Sequence, residues 1–181
     1  MLQVQPITKD SKNLFDFKKV YFSAFPRSEQ TPIWFLLLKA KRDDIDFFAY
    51  YDDGVFAGFS YIITHGNLTF IQYIAVSANI RSKGYGTQIM SEIRKRYPGN
   101  RIILCIEAED EKAVNNEQRK RRKSFYLKNG YSSANIMMKT NGIIFETLIS
   151  DGTCSFKEFL MLYKEYLGFL LYIFYKPKMI R

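Results

Sequence analysis

Cysteine and histidine are scarce in this chain of 181 residues, which carries only Cys105, Cys154 and His65. Two thiols, one in an apolar strand-like run and one in a loop, give neither a disulfide framework nor the spacing of a zinc site. No metal is expected, and a reducing, cytoplasmic compartment fits. His65 falls in a turn between two strand-like runs, so it is not a catalytic candidate. Long apolar runs are missing too. Residues 167–175, LGFLLYIFY, fall far short of the ~20 needed to cross a bilayer. The first fifteen residues lack the basic-then-apolar layout of a secretion signal, so no transmembrane or targeting segment is expected. No repeat or low-complexity linker divides the chain. One domain over residues 1–181 is therefore expected, a core to about 150 followed by a helical extension over 151–181. Acidic residues are the minority, 18 against 27 basic, for a formal charge of +9. That balance favours anionic partners: a coenzyme with several phosphates, a nucleic acid or a membrane surface.

The most informative stretch runs from residue 68 to 97, LTFIQYIAVSANIRSKGYGTQIMSEIRKRY. A β-branched, apolar run over 69–76 leads through a polar bend at 77–80 into Arg81-Ser82-Lys83-Gly84-Tyr85-Gly86. A helical pattern follows, with Ile89, Met90, Ile93 and Tyr97 on one stripe and Arg94, Lys95 and Arg96 off it. The layout reads as strand, anion loop, helix. Gly84 and Gly86 are expected to take backbone angles closed to other residues and to leave the main chain bare toward a ligand. Exposed amides, the first-turn dipole, Arg81 and Lys83 would together favour a phosphate. Two familiar nucleotide motifs do not fit. The third glycine of a dinucleotide fingerprint would fall at Ile89, and no G-x-x-x-x-G-K-[ST] string occurs.

Around that stretch the chain alternates strands and helices. Residues 2–7 read as a strand, and Asp10 or Ser11 as the cap of a helix carrying Leu14, Phe17, Tyr21 and Phe25, stopped by Pro26. A second helix is expected from Ser28 or Thr31 through Trp34, Leu37 and Leu38 to Arg42. Runs 45–51 and 55–64 flank Asp52-Asp53-Gly54, a hairpin signal, and His65-Gly66-Asn67 turns into the central strand. Beyond Pro98-Gly99-Asn100, residues 101–108 read as a buried strand, so the helix between makes a parallel crossover. A helix over 113–128 carries the basic run 119–123, RKRRK, a solvated face before it is a coenzyme or RNA contact. Asn129-Gly130 closes that helix, and runs 136–139 and 143–149 flank Asn141-Gly142 as another hairpin. In the tail, Phe156, Phe159, Leu160, Tyr163 and Leu167 mark an amphipathic helix before the apolar 167–175 segment. Packing of that segment on the domain's own sheet is the first expectation, homodimer formation through it the second, and membrane contact the third.

The string IAVSANIRSKGYGTQIM at 74–90, seconded by SFYLKNGY at 124–131, resembles the GNAT superfamily of acyl-CoA-dependent N-acyltransferases over roughly residues 14–148. The resemblance implies a mixed α/β sheet, mostly antiparallel, with a central splayed parallel strand pair, helices on both faces and here an extra C-terminal helix. It implies acetyl-CoA as cosubstrate, with its pyrophosphate on Arg81, Ser82, Lys83, Gly84, Tyr85, Gly86 and Thr87. Its pantetheine arm and the reaction's oxyanion would lie on main-chain groups near Ile74 and Val76, where the family's central strand is bulged. Tyr126 matches the family's proton-donating tyrosine; a phenol of pKa ~10 is protonated at neutral pH and can recharge a departing thiolate. Plain core packing is the rival reading for Tyr126. The first two helices and their loop would wall the acceptor site, which makes Arg27, Glu29 and Trp34 candidates; a surface loop and a core tryptophan are the rival.

Two departures from the family stand out. Where many relatives carry a central-strand carboxylate, this chain has Phe70, Gln72 and Tyr73, which leaves Glu107 as substitute base or as a solvent-facing strand end. Seven residues before Tyr126, where an asparagine is usual, stands Arg119, a candidate coenzyme contact. The leading expectation is an N-acetyltransferase acting on a small-molecule or peptide amine through a ternary complex. The alternatives are an idle acyl-CoA-binding module and, last, a basic nucleic-acid-binding protein using the 119–123 run. The acceptor itself has no readable code.

Overall fold

In the computed structural model, which describes residues 2–140 and 142–180, the chain forms two compact units. One comprises the residues up to 63 together with 71–98, and the other 64–70 together with the chain from 99 onward.

The first unit is built on β1 (Gln3–Pro6), α1 (Leu14–Ala24), α2 (Ile33–Lys39), β2 (Ile45–Asp52), most of β3 (Val55–His65), the greater part of β4 (Leu68–Val76) and α3 (Tyr85–Arg96). β1 pairs antiparallel with β2, and β2 with β3. The Asp-Gly signal is realised as a two-residue turn with both residues left-handed, Asp53 at φ 46° and Gly54 at φ 78°. Strand alternation puts helices on opposite faces. Phe17 of α1 meets Phe47 and Phe59 edge-on, each at 4.8 Å between ring centroids. On the other face of β2, Tyr97 just past α3 donates to the Asp46 carboxylate, and the Arg96 guanidinium lies 4.3 Å from the Phe48 ring centroid. The expected α3 stripe is buried at Ile89, Met90 and Ile93.

Three local expectations are corrected in this unit. Neither Asp10 nor Ser11 caps α1: the N-cap is Asn13, and the Ser11 hydroxyl closes a turn by bonding the Thr8 main chain. Residues 27–29 form a separate single turn, so α2 is shorter than expected, Pro32 standing at its N-cap. Its buried residue is Leu36, while Trp34 and Leu38 are exposed, which removes the core-tryptophan reading.

The second unit begins with the end of β3 and residues 68–70 of β4. It continues through β5 (Arg101–Glu107), α4 (Asn116–Lys128), β6 (Ser132–Thr140), β7 (Ile143–Ile149), α5 (Phe156–Leu167), α6 (Phe169–Tyr175) and β8 (Lys178–Met179). The Arg101 amide donates to the Asn67 carbonyl at 2.9 Å, setting the starts of β4 and β5 side by side and the strands parallel. β5 with β7, β7 with β6 and β6 with β8 are antiparallel. Through β4, which both units share, the strand order is β1-β2-β3-β4-β5-β7-β6-β8, a mixed eight-stranded sheet with one parallel pair.

α4 starts at Asn116 rather than at 113, and Asn141 of the second hairpin lies outside the described residues. α5 opens with a reciprocal capping box between Ser155 and Glu158 and buries Phe159, Leu162 and Tyr166, a stripe rotated from the expected one. Gly168, at φ 80° and ψ 160°, then breaks the helix. The seven residues of α6 do not pack on the sheet as first expected: Leu170 is 74% and Phe174 81% exposed. No helix among the described residues is long and apolar enough to cross a membrane.

Candidate functional site

The anion loop lies wholly in the first unit. After β4 the chain makes a single 3-10 turn at Ala78–Ile80 and enters α3 through Ser82 at φ 64° and Gly84 at φ 82°. Of the two loop glycines only Gly84 has the left-handed conformation; Gly86 is the second residue of α3, and the serine takes the other left-handed position. This corrects the expectation for Gly86. A Cβ at Gly84 would meet no atom within 4 Å, so the main chain there faces open space. The amides of Ser82, Lys83, Gly84, Tyr85, Gly86 and Thr87 make no hydrogen bond to protein groups among the described residues, while the Gly84 carbonyl accepts from Gln88 at 3.1 Å. Six neighbouring N–H groups at and just before a helix N-terminus are the kind of donor set that suits an anion. Tyr85 anchors the loop by donating from its hydroxyl to Asp52 Oδ2 at 2.7 Å, and Arg81 Nε lies 3.4 Å from the Val76 carbonyl.

Upstream of the loop, Gly58 decides where the end of β4 lies, a role not read from the sequence. Tyr50 is registered with Gly58 and Tyr51 with Phe56, so Ala57 is an extra, bulged residue of β3. The Ala57 carbonyl accepts from the Ser77 amide at 2.9 Å. A Cβ on Gly58 would lie 2.3 Å from the Ala75 carbonyl oxygen and 3.2 Å from Val76 Cα. Only glycine lets β4 run this close just before Ile74–Val76 main-chain groups give way to the loop. A glycine inside the strand pattern FAGFSYII was the available signal.

The early loop also gathers its candidates in the first unit. Arg27 and Trp34 line an open groove of about 470 Å3 with Phe22, Gln30, Thr31 and Pro32, whereas Glu29 is not part of that lining.

In the second unit, α4 brings Arg119 and Arg122 to Glu107 at the end of β5. Arg119 donates to Glu107 Oε1 at 3.0 Å, to the Ala108 carbonyl at 2.8 Å and to Asn115 Oδ1 at 3.0 Å. Arg122 lies 3.6 Å from Glu107 Oε2, which also accepts from Asn115 at 3.4 Å. Arg119, expected against coenzyme, thus spends three of its five N–H groups on protein, and both oxygens of Glu107 face donors. Lys123 pairs with Glu146 at 2.8 Å and Lys120 with Glu117 at 3.2 Å. Most of the basic run is thereby neutralised by its own unit, the solvated-face reading with a structural use added. This weakens the nucleic-acid alternative, which needs cations open to phosphate.

Tyr126, four residues beyond Arg122, is 7% exposed between Phe125 and Tyr131, with ring centroids 5.1 and 6.1 Å away. Burial pushes its hydroxyl up to about 12, partly opposed by Arg122. The phenol stays protonated at neutral pH, and its oxygen is not among the buried polar atoms sealed without a partner. Cys105 is no competing nucleophile, since burial raises its thiol to about 12 and the thiol form is inert. No cluster of three or more His, Cys, Asp or Glu side chains suited to a metal occurs among the described residues.

Comparison with known proteins agrees with the fold. A family profile for the acetyltransferase (GNAT) domain matches residues 43–133, half of the chain. No curated protein sequence matches. Among solved structures, one assigned to the GNAT acetyltransferase family from Bacteroides thetaiotaomicron superposes with a TM-score of 0.72 at 18% identity, covering 94% of this chain and 98% of that one. An aminoglycoside 6'-N-acetyltransferase complexed with coenzyme A gives 0.65 at 15% identity over 84% of this chain and 99% of that one. A GNAT acetyltransferase from Elizabethkingia anophelis with acetyl-CoA bound gives 0.58 at 14% identity over 83% and 98%. The profile match and the strand–loop–helix geometry together place this chain in the GNAT acetyltransferase family.

Proposed function

We propose that the protein moves an acetyl group from acetyl-CoA to a primary amine by direct attack within a ternary complex. The observation that carries this reading is the cradle of six uncommitted amides from Ser82 to Thr87, flanked by Arg81 and Lys83 and opened by left-handed Gly84. Such a cradle suits a pyrophosphate, and coenzyme-bound relatives of the same fold support the choice. Main-chain groups of Ile74 and Val76 hold the pantetheine arm and the developing oxyanion.

In the transfer, the amine lone pair forms the new C–N bond and the carbonyl π pair moves to oxygen. Collapse of that intermediate breaks C–S, and Tyr126 gives the departing thiolate its proton. Burial holds the phenol well above the ~8.5 of a thiol, so that step alone runs uphill. The tyrosinate is therefore recharged in the same event by the ammonium proton of the new amide, and Tyr126 acts as a relay. Glu107, committed to Arg119 and Arg122, anchors the end of β5, and the acceptor binds as its neutral amine.

The commitment of Glu107 favours one second reading, a module that binds acyl-CoA without turnover. Free-thiol release from acetyl-CoA over an amine panel, with coenzyme binding followed by calorimetry, separates them. Binding with no thiol from any amine selects the idle module. The Gly84→Asp variant should lose coenzyme affinity at least ~30-fold, because its carboxylate enters the anion cradle; unchanged calorimetric binding removes the loop from the proposal.

A further inference from the structure

The groove beside α1 and α2 combines two aromatic side chains with a single charged one. Its volume of about 470 Å3 is in the range of small-molecule sites, ~300–1,000 Å3. Two of its walls are aromatic and come from different helices: Phe22 of α1 is 56% exposed and Trp34 of α2 is 67% exposed. Single exposed aromatics are ordinary, but two around one concavity, with Pro32 and Ile33 beside them, form a surface for a flat apolar body. Arg27 is the only charged residue of the lining. Glu29, the one carboxylate of the connecting loop, is absent from it, so a polycation would find no counter-charge there while a carboxylate would find a guanidinium.

The floor is rigid before any ligand arrives. Tyr21, fully buried, donates from its hydroxyl to the Thr31 carbonyl at 3.0 Å and accepts from the Thr31 amide at 2.7 Å. Tyr73 donates to the Glu29 carbonyl at 2.6 Å and shares a hydrogen bond with Thr31 Oγ1 at 2.9 Å. Gln30 Nε2 donates to the Phe25 carbonyl at 2.6 Å. Two core tyrosines thus fix the main chain between α1 and α2, lowering the ordering cost of binding.

We propose that this groove receives an acceptor amine bearing both a planar apolar group and a carboxylate, as an aromatic amino acid does, with the ring between Phe22 and Trp34 and the carboxylate on Arg27. The word acceptor rests on the acyltransferase reading above; the binding preference does not.

Trp34 is the only tryptophan in the chain, so its emission reports on the groove without coenzyme or turnover. The intact protein is titrated with L-phenylalanine, with phenethylamine, which lacks the carboxylate, with L-alanine, which lacks the ring, and with spermidine as polycation. The expected result is a saturable change with L-phenylalanine at a half-saturation about 10-fold below those of phenethylamine and L-alanine, and none with spermidine. Arg27→Gln should erase the difference between L-phenylalanine and phenethylamine, and Phe22→Ala should weaken both; circular dichroism of each variant checks its fold. A saturable response to spermidine, equal responses to the first three ligands, or no response to L-phenylalanine overturns the proposal. Thiol release from acetyl-CoA is recorded with the same four amines. Fluorescence saturation without thiol release sinks the acyltransferase reading and leaves the groove preference standing, whereas thiol release with spermidine alone does the reverse.

Discussion

Replacing Gly58 by alanine tests how the end of β4 is held. Its new Cβ would lie 2.3 Å from the Ala75 carbonyl oxygen, 3.0 Å from Ile89 Cδ1 and 3.2 Å from Val76 Cα. The isoleucine methyl can rotate aside, but the carbonyl is main chain and must retreat by about 1 Å to reach ordinary contact. Overpacking costs typically ~1–3 kcal/mol, and a backbone neighbour puts this site at the upper end, about 3 kcal/mol. With a urea dependence of ~2 kcal/mol per molar, the unfolding midpoint should fall by ~1.5 M. The shift reaches Ser77, whose amide bonds the Ala57 carbonyl, and so the loop that follows. Turnover should therefore drop by about 100-fold, the scale of a 1 Å misplacement, in the fraction that remains folded. Gly142→Ala is the control, since its added Cβ would meet nothing within 4 Å and its φ of 83° carries the whole penalty, roughly 1–2 kcal/mol with turnover intact. A Gly58→Ala protein as stable and as active as the parent would refute the account of β4.

Three further outcomes are expected. Tyr126→Phe should lower kcat by about 100-fold while calorimetric coenzyme affinity changes by less than ~2-fold; parental turnover reduces Tyr126 to packing. Arg119→Met leaves Glu107 partly uncompensated at 10% side-chain exposure and should cost about 3 kcal/mol in urea unfolding. In a double-mutant cycle with Glu107→Leu the two losses should be clearly less than additive, and additivity would mean that the pair does not interact. Stability should also fall at alkaline pH, because burial raises both Tyr50 and Tyr126 to about 12. Below pH ~10 both folded and unfolded chains keep these protons. Between ~10 and 12 the unfolded chain releases them first, so stability present at neutral pH is lost as pH rises, up to ~2–3 kcal/mol per tyrosine. Urea midpoints at pH 9 and 11, read beside tyrosinate absorbance, test this, and equal midpoints count against it.

What the sequence determined alone are the features whose cause is local. Asp53-Gly54 fixes a turn because both residues tolerate left-handed angles, and the Ile89, Met90 and Ile93 spacing fixes a helix face. The anion loop was legible for the same reason, its amides being orphaned by the helix start itself. Tertiary structure decided what depends on a distant partner. Arg119 and Glu107 look like two separate candidates in the string, and only the packing of α4 beside β5 makes them one committed pair. Trp34 has the composition of a core residue, but the face of α2 that is buried belongs to Leu36. Gly58 is an unremarked strand glycine until the Ala75 carbonyl arrives against it. Periodicity shows that a face is apolar; which groups meet there depends on how the elements fold back on one another.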